Sequence, residues 1–170
     1  FMVADGMGGH KGGEKASQLA IQQVPLVFGK MLEMGHDKAL RRALLEANQE
    51  IHRRGKESAD FYNMGTTATI LLLNAKGAWV AHVGDSRIYH LRDGKIIERT
   101  RDHSHVELLL REGVISEKEV LTHPMRNFVE CCLGGDDSLP EMSVTRRKVV
   151  KGGDLLLVCS DGFWSGLPEA

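Results

Sequence analysis

Apolar positions along this chain change their period part way through. Ala16, Ala20, Val24, Val27 and Met31 recur at helical steps and form one face. Pro25 falls inside that stripe and predicts a kink or restart near Val24, with Gly35 ending the helix. Leu40, Leu44, Ala47 and Ile51 repeat the pattern in a second helix, for which Asp37 is the predicted cap. From Asn63 the period shortens. Residues 66–74, rich in Thr, Ile and Leu, read as a strand. Lys76-Gly77 reads as a turn, residues 78–83 and 87–91 as further strands, and Arg92-Asp93-Gly94-Lys95 as a hairpin turn into a fourth. Short connections predict an antiparallel meander. Residues 102–135 are less regular. Val106, Leu109 and Leu110 suggest one helix, and Ser116 with Glu119 a capping box opening another, separated from the first by Gly113 and ended by His123-Pro124. That segment reads as an insertion between core strands. Residues 142–150 and 155–159 predict a final hairpin across Lys151-Gly152-Gly153-Asp154. Helices followed by runs of strands indicate an α+β fold.

Chemistry-bearing residues gather at predicted strand ends. Phe1-Met2-Val3-Ala4 reads as the end of a buried strand, followed by Asp5 and then Gly6, Gly8 and Gly9. Leu155-Leu156-Leu157-Val158-Cys159-Ser160-Asp161-Gly162 repeats the design, and Asp85 stands beside Gly84 after a third apolar run. Each acid alone is compatible with an ordinary glycine turn. Together they describe an oxygen-rich site suited to Mg²⁺ or Mn²⁺, with the Gly6 carbonyl as a further donor. Zinc would require His or Cys ligands, and none has the spacing. His10 follows the glycine loop and either meets whatever binds at Asp5 or simply starts the helix. His103 and His105 are assigned solvated or capping roles. Lys11 stands where a dinucleotide fingerprint needs its last glycine; there is no phosphate-loop motif, no Gly-x-Ser-x-Gly elbow and no evident nucleophilic Cys. Activated water is therefore favoured over a side-chain nucleophile.

Composition narrows the class. The 170 residues are 42% hydrophobic and 26% charged, with 22 basic and 23 acidic residues and a net charge of −1. That balance argues against a nucleic-acid surface or a polybasic membrane patch. No apolar run approaches the roughly 18 residues of a membrane span. The 3 cysteines, two of them adjacent at Cys131 and Cys132, do not form a disulfide framework. The expectation is a cytoplasmic, monomeric protein. A chain that opens inside a strand at Phe1 and stops just past Asp161 is expected to be a fragment lacking both ends of one domain, residues 1–170.

Five short motifs occur in order: Val3-Ala4-Asp5-Gly6-Met7-Gly8-Gly9-His10, Gly65-Thr66-Thr67, Val83-Gly84-Asp85-Ser86-Arg87, Asp102-His103-Ser104 and Cys159-Ser160-Asp161-Gly162. The set closely resembles the metal-dependent Ser/Thr protein phosphatases of type 2C in their bacterial form. The resemblance implies a β-sandwich of two antiparallel sheets flanked by helix pairs, with residues 102–135 as its flap. It implies two Mg²⁺ or Mn²⁺ ions, Asp5 bridging both, the Gly6 carbonyl on one and Asp161 on the other, with water between them attacking phosphoserine or phosphothreonine in line. Asp85 matches the ligand of a third ion, and His10 a position near substrate. A phosphoprotein substrate and an opposing bacterial Ser/Thr kinase are the implied partners. Two departures stand out. Met7 occupies the place of a His proposed as general acid in eukaryotic members, and Ser165 that of a further acid. These departures are compatible with an alternative: a non-catalytic, phosphatase-fold binding or regulatory module. A small-phosphoester hydrolase is a third reading.

Overall fold

The computed structural model describes residues 1–7, 9–139, 141–147 and 150–167, with the side chains of His10 and Arg147 outside that description. Strands β1 (Met2–Val3) and β2 (Gly6–Met7) lead into helix α1 (Gly9–Lys30). A short 3-10 turn, Leu32–Met34, joins it to α2 (His36–Glu57). Strands β3 (Gly65–Thr66), β4 (Ala68–Asn74), β5 (Gly77–Val83), β6 (Arg87–Arg92) and β7 (Lys95–Arg99) follow. Next come α3 (His105–Arg111), α4 (Glu117–Val120), β8 (Ser143–Arg147), β9 (Leu155–Cys159) and α5 (Asp161–Trp164).

Two antiparallel sheets form the frame, one ordered β1-β4-β5-β8 and the other β7-β6-β9, with β2 and β3 as a separate short pair. β4 and β5 are buried on both faces, so they read as near-continuous apolar runs. One face, through Ile70, Trp79, Ala81 and Val83, packs on Leu19, Val24, Leu40, Leu44 and Ile51 of α1 and α2. The other, through Leu71, Ala78 and Val80, meets Ile88, Leu156 and Val158 of the second sheet. Leu44 is fully buried, so cutting it to Ala costs about 2–5 kcal/mol. The α+β sandwich is therefore present, with one flanking helix pair among the described residues.

Several local expectations need correction. α1 continues without a break through Pro25, which lies on the exposed side where the carbonyl it leaves unpaired can reach water. Gly35, not Asp37, is the N-cap of α2; it adopts φ 89°, and Asp37 sits in the first turn, where its charge complements the helix dipole. The strands do not form a single meander. β5 gives its free edge to β8, and β6 pairs with β7 and β9, so the chain changes sheets at residues 84–86. For the same reason β8 and β9 are not a hairpin: the Lys151–Asp154 turn links the two sheets. A glycine turn looks alike in both cases, and only the pairing partner distinguishes them. The capping box at Ser116 and Glu119 is formed.

Candidate active site

Antiparallel pairing brings the three acids to one end of the sandwich. β6 begins at Arg87, opposite Cys159 at the end of β9. Asp85 and Asp161 lie two residues beyond this pair on either strand. Val83, the last residue of β5, faces Ala68, and the neighbouring Thr67 holds Asp5. Each acid is thus delivered by a strand terminus rather than by a mobile loop.

The peptide of Asp5 is held on both sides. Its N–H donates to Thr67 Oγ1 at 2.9 Å. Its carbonyl accepts from the Thr67 N–H at 2.9 Å and from Thr66 Oγ1 at 2.9 Å. Thr67 Oγ1 also lies 2.8 Å from Ser86 Oγ, in the residue after Asp85. Gly6 is glycine for a packing reason: an added Cβ would sit 2.1 Å from the Gly13 carbonyl oxygen of α1. Gly13 answers in kind, since its own Cβ would meet the Gly6 carbonyl at 2.7 Å. α1 can cross Asp5's strand end only because both residues lack side chains. Gly84 adopts φ +104°, and a Cβ there would press on Thr67 at 2.7 Å.

Asp5 and Asp161 touch through their carboxyl groups. Burial first, and then the bond and charge of Asp161, push the Asp5 carboxyl above its usual value. Asp85 is pushed up to about 6, mainly by burial and then by the charges of Asp161 and Asp102. Two carboxyl groups in contact disfavour each other's charge, and a divalent cation between them would relieve that repulsion. Among the described residues, no three His, Cys, Asp or Glu side chains converge on one point. The donor set is therefore an acid pair to be completed by main-chain oxygen and water, which suits Mg²⁺ or Mn²⁺ better than zinc.

Arg87 and Trp164, which sequence reasoning assigned no role, brace this end. Arg87 grips Asp102 with two bonds, Nε to Oδ1 at 2.9 Å and Nη2 to Oδ2 at 2.7 Å, and donates to the Tyr89 hydroxyl at 2.9 Å. Its guanidinium lies 3.5 Å from the ring centre of Trp164. The Trp164 indole N–H donates to the Asp85 carbonyl at 3.0 Å. His103 is half-buried and hydrogen-bonded rather than simply solvated. Its Nδ1 accepts from the Gly84 N–H at 3.1 Å, its own N–H donates to the Gly84 carbonyl at 2.8 Å, and its ring lies 4.7 Å from that of His82. Burial lowers its pKa to about 4, so at neutral pH it is an uncharged acceptor fixing the Asp85 turn. His105 pairs with Glu130 at 2.7 Å. The side chain of His10 lies outside the described residues. The signal for Arg87, Asp102 and His103 was present in two of the motifs, but only as markers; Trp164 carried none.

The sequence profile of the Protein phosphatase 2C family matches residues 1–170. The chain belongs to this family. It is 36% identical to the serine/threonine protein phosphatase PstP of Mycobacterium tuberculosis over 163 residues, which are 95% of this chain and 31% of that protein. It is 34% identical over 176 residues to the serine/threonine phosphatase Stp of Listeria monocytogenes, covering 99% of this chain and 68% of that one. The chain thus spans about a third of one relative and about two thirds of the other. Among solved structures, Stp1 of Staphylococcus aureus superposes with a TM-score of 0.82 at 31% identity, covering 98% of this chain and 66% of that one. The catalytic domain of PstP in complex with 2 manganese ions superposes with a TM-score of 0.79 at 32% identity, covering 98% and 68%.

Proposed function

We propose that the protein to which this chain belongs is a metal-dependent phosphoprotein phosphatase that hydrolyses phosphoserine and phosphothreonine. The observation that carries this reading is the contact between the Asp5 and Asp161 carboxyl groups, two acids from opposite ends of the chain with no cationic partner among the described residues. Asp5, Asp161 and the Gly6 carbonyl would hold Mg²⁺ or Mn²⁺, as a pair of ions, with Asp85 serving a third. When bound, such ions supply Lewis-acid stabilisation of phosphoryl charge and make water easier to deprotonate. The chain's own part is orientation. Thr66 and Thr67 fix the Asp5 main chain, His103 fixes the Asp85 turn, and β9 presents Asp161 across from it. Residues 102–135 would act as a flap bordering the site, and His10, whose side chain lies outside the described residues, would serve the substrate. A cognate Ser/Thr kinase, a cytoplasmic setting and a monomeric state complete the proposal. Among the described residues no helix is long and apolar enough to cross a membrane, and the 3 cysteines are free.

The test is phosphate release from a phosphothreonine peptide by the full-length protein, with Mn²⁺ and then with excess chelator. Metal-dependent release that disappears in Asp161→Ala is the expected result. A folded protein that releases no phosphate at any metal concentration would instead be a binding module on a phosphatase fold.

A further inference from the structure

The three acids come from segments far apart in sequence, yet one line of side-chain bonds ties those segments together. Asp5 donates its N–H to Thr67 Oγ1, and Thr67 Oγ1 faces Ser86 Oγ beside Asp85. The Asp85 carbonyl accepts from the Trp164 indole, three residues after Asp161. We infer that Thr67 and Trp164 are positioning residues that link Asp5, Asp85 and Asp161 through one relay of bonds, holding the three strand ends in register before any ion arrives.

Each link has the chemistry the role needs. A threonine hydroxyl has one proton to give, so Thr67 Oγ1 can accept from Asp5 and donate to Ser86 at once. Both hydroxyls are buried, which removes water as a competing partner and makes an unmade bond costly. Trp164 is also held on its face: the Arg87 guanidinium at 3.5 Å is fixed by two bonds to Asp102. A four-residue helix such as α5 has little stability of its own, so this side-chain anchor decides where Asp161 lies relative to Asp85. Partners behind metal ligands typically change metal affinity by about 10–100-fold when removed.

A linked relay differs from independent braces in one measurable way: cutting one link is felt at the other end. Trp164→Phe keeps an aromatic ring beneath Arg87 but loses the indole N–H and part of the ring area. In the full chain, that variant should shift the amide resonances and speed the amide exchange of Asp5 and Thr67, while α1 and α2 stay unchanged. Thr67→Val, which keeps shape and loses the hydroxyl, should perturb Asp161 and Trp164 in turn, and Thr67→Ser should restore the parent pattern. The same two damaging variants should weaken Mn²⁺ binding in calorimetry by about 10–100-fold, and Thr67→Ser should leave it near the parent value. Changes in Trp164→Phe confined to α5 and Asp85, with Asp5 and Thr67 amides as in the parent, would overturn the relay. So would unaltered Mn²⁺ affinity in both variants of a parent that binds Mn²⁺. The metal part rests on the phosphatase reading. A parent chain that binds no Mn²⁺ ends that reading, while the exchange and resonance data still decide the relay.

Discussion

Strand β9 has an acid at each end, and their surroundings are opposite. Asp154, just before the strand, is surrounded by donors. Arg92 reaches both of its oxygens at 2.7 Å, His90 Nε2 lies at 2.8 Å, and the Lys151 N–H donates at 2.8 Å. The Arg92 bonds, with the Lys151 amide next, hold that carboxyl well below the usual carboxylate range. Asp161, just past the other end and roughly 17 Å of strand away, meets another acid instead. An acid whose cation is built into the chain is a structural tie that closes the turn between the sheets. An acid pair with none retains its electrostatic demand for something from outside. The sequence around each is similar, an apolar run with an Asp and glycines at its end, so partners rather than motif separate the two roles.

The strongest way to break this contrast is to exchange its consequences. Asp5→Asn and Asp161→Ala should each lower phosphatase turnover of the full-length protein by more than about 100-fold, beyond what removing outer-shell partners does. Both should leave the thermal midpoint at or above that of the parent in chelator, because each removes half of a repulsive pair. Asp154→Asn should do the reverse, lowering the midpoint while the folded fraction keeps its turnover. Turnover assays paired with melting curves check all three. An Asp154 variant with full stability and no activity would invert the assignment.

Arg87 offers the next test, because it belongs to both regions: a built-in cation at the functional end. Its side chain is 7% exposed and that of Asp102 6%. Arg87→Met leaves Asp102 buried without its main partner, and breaking such a pair costs about 3–5 kcal/mol. Denaturant unfolding in chelator reads that loss directly. A loss below about 1 kcal/mol would mean that Asp102 finds compensation and that Arg87 is not the brace.

What was legible in the sequence follows the range of the interaction that carries it. Asp5, Asp85 and Asp161 could be picked out because a strand end is a local event: an apolar run, then an acid beside glycine. The capping box at Ser116 was legible for the same reason. The change of sheet at Gly84 was not, because pairing β5 with β8 and β6 with β9 leaves no local period. Thr67 reaches 62 residues back to Asp5, and Trp164 reaches 79 residues back to Asp85. Glycines were read as freeing the Gly6 carbonyl. The structure gives a second reason, the contact with Gly13, which could be seen only once α1 was laid across the strand end.

Asp85 sharpens the contrast through pH. Its folded pKa of about 6 lies above the ordinary 3.8, so the folded state prefers the protonated form. Without metal, that contribution to stability is intact below about pH 4 and is lost as pH rises through 6, about 3 kcal/mol in all. Asp154 has the opposite sign: its contribution is present above the ordinary carboxylate value and disappears as pH falls through its depressed one. Urea unfolding in chelator at pH 4.5 and 7.5 should therefore show Asp85→Asn gaining on the parent toward the higher pH; the comparison must be with the parent, because buried His82 and His103, lowered to about 3 and about 4, add stability over the same range. A difference between parent and Asp85→Asn that is equal at both pH values would refute the assignment.

The smallest effect isolates burial from partner count. Glu50 on α2 is gripped by cations much as Asp154 is, by Arg53 at 3.0 Å and by Arg54 one residue on. The Arg53 and then the Arg54 bonds lower its pKa, as Arg92 lowers that of Asp154. The difference is access: the Arg53 side chain is 55% exposed and that of Arg54 41%, against 26% for Arg92 and 2% for Asp154. Solvent and salt screen pairs of the exposed kind, which contribute about 0.2–1 kcal/mol. Glu50→Gln should thus change unfolding free energy by less than about 1 kcal/mol, and that difference should vanish in 1 M salt, where the Debye length falls to about 3 Å. The loss in Asp154→Asn should largely survive the same salt, since the Asp154 side chain is 2% exposed and its Arg92 and His90 bonds are part-buried. If salt erased both losses alike, burial would not be what separates a structural acid from a surface one, and the reading of Asp154 as a tie between the sheets would fall with it.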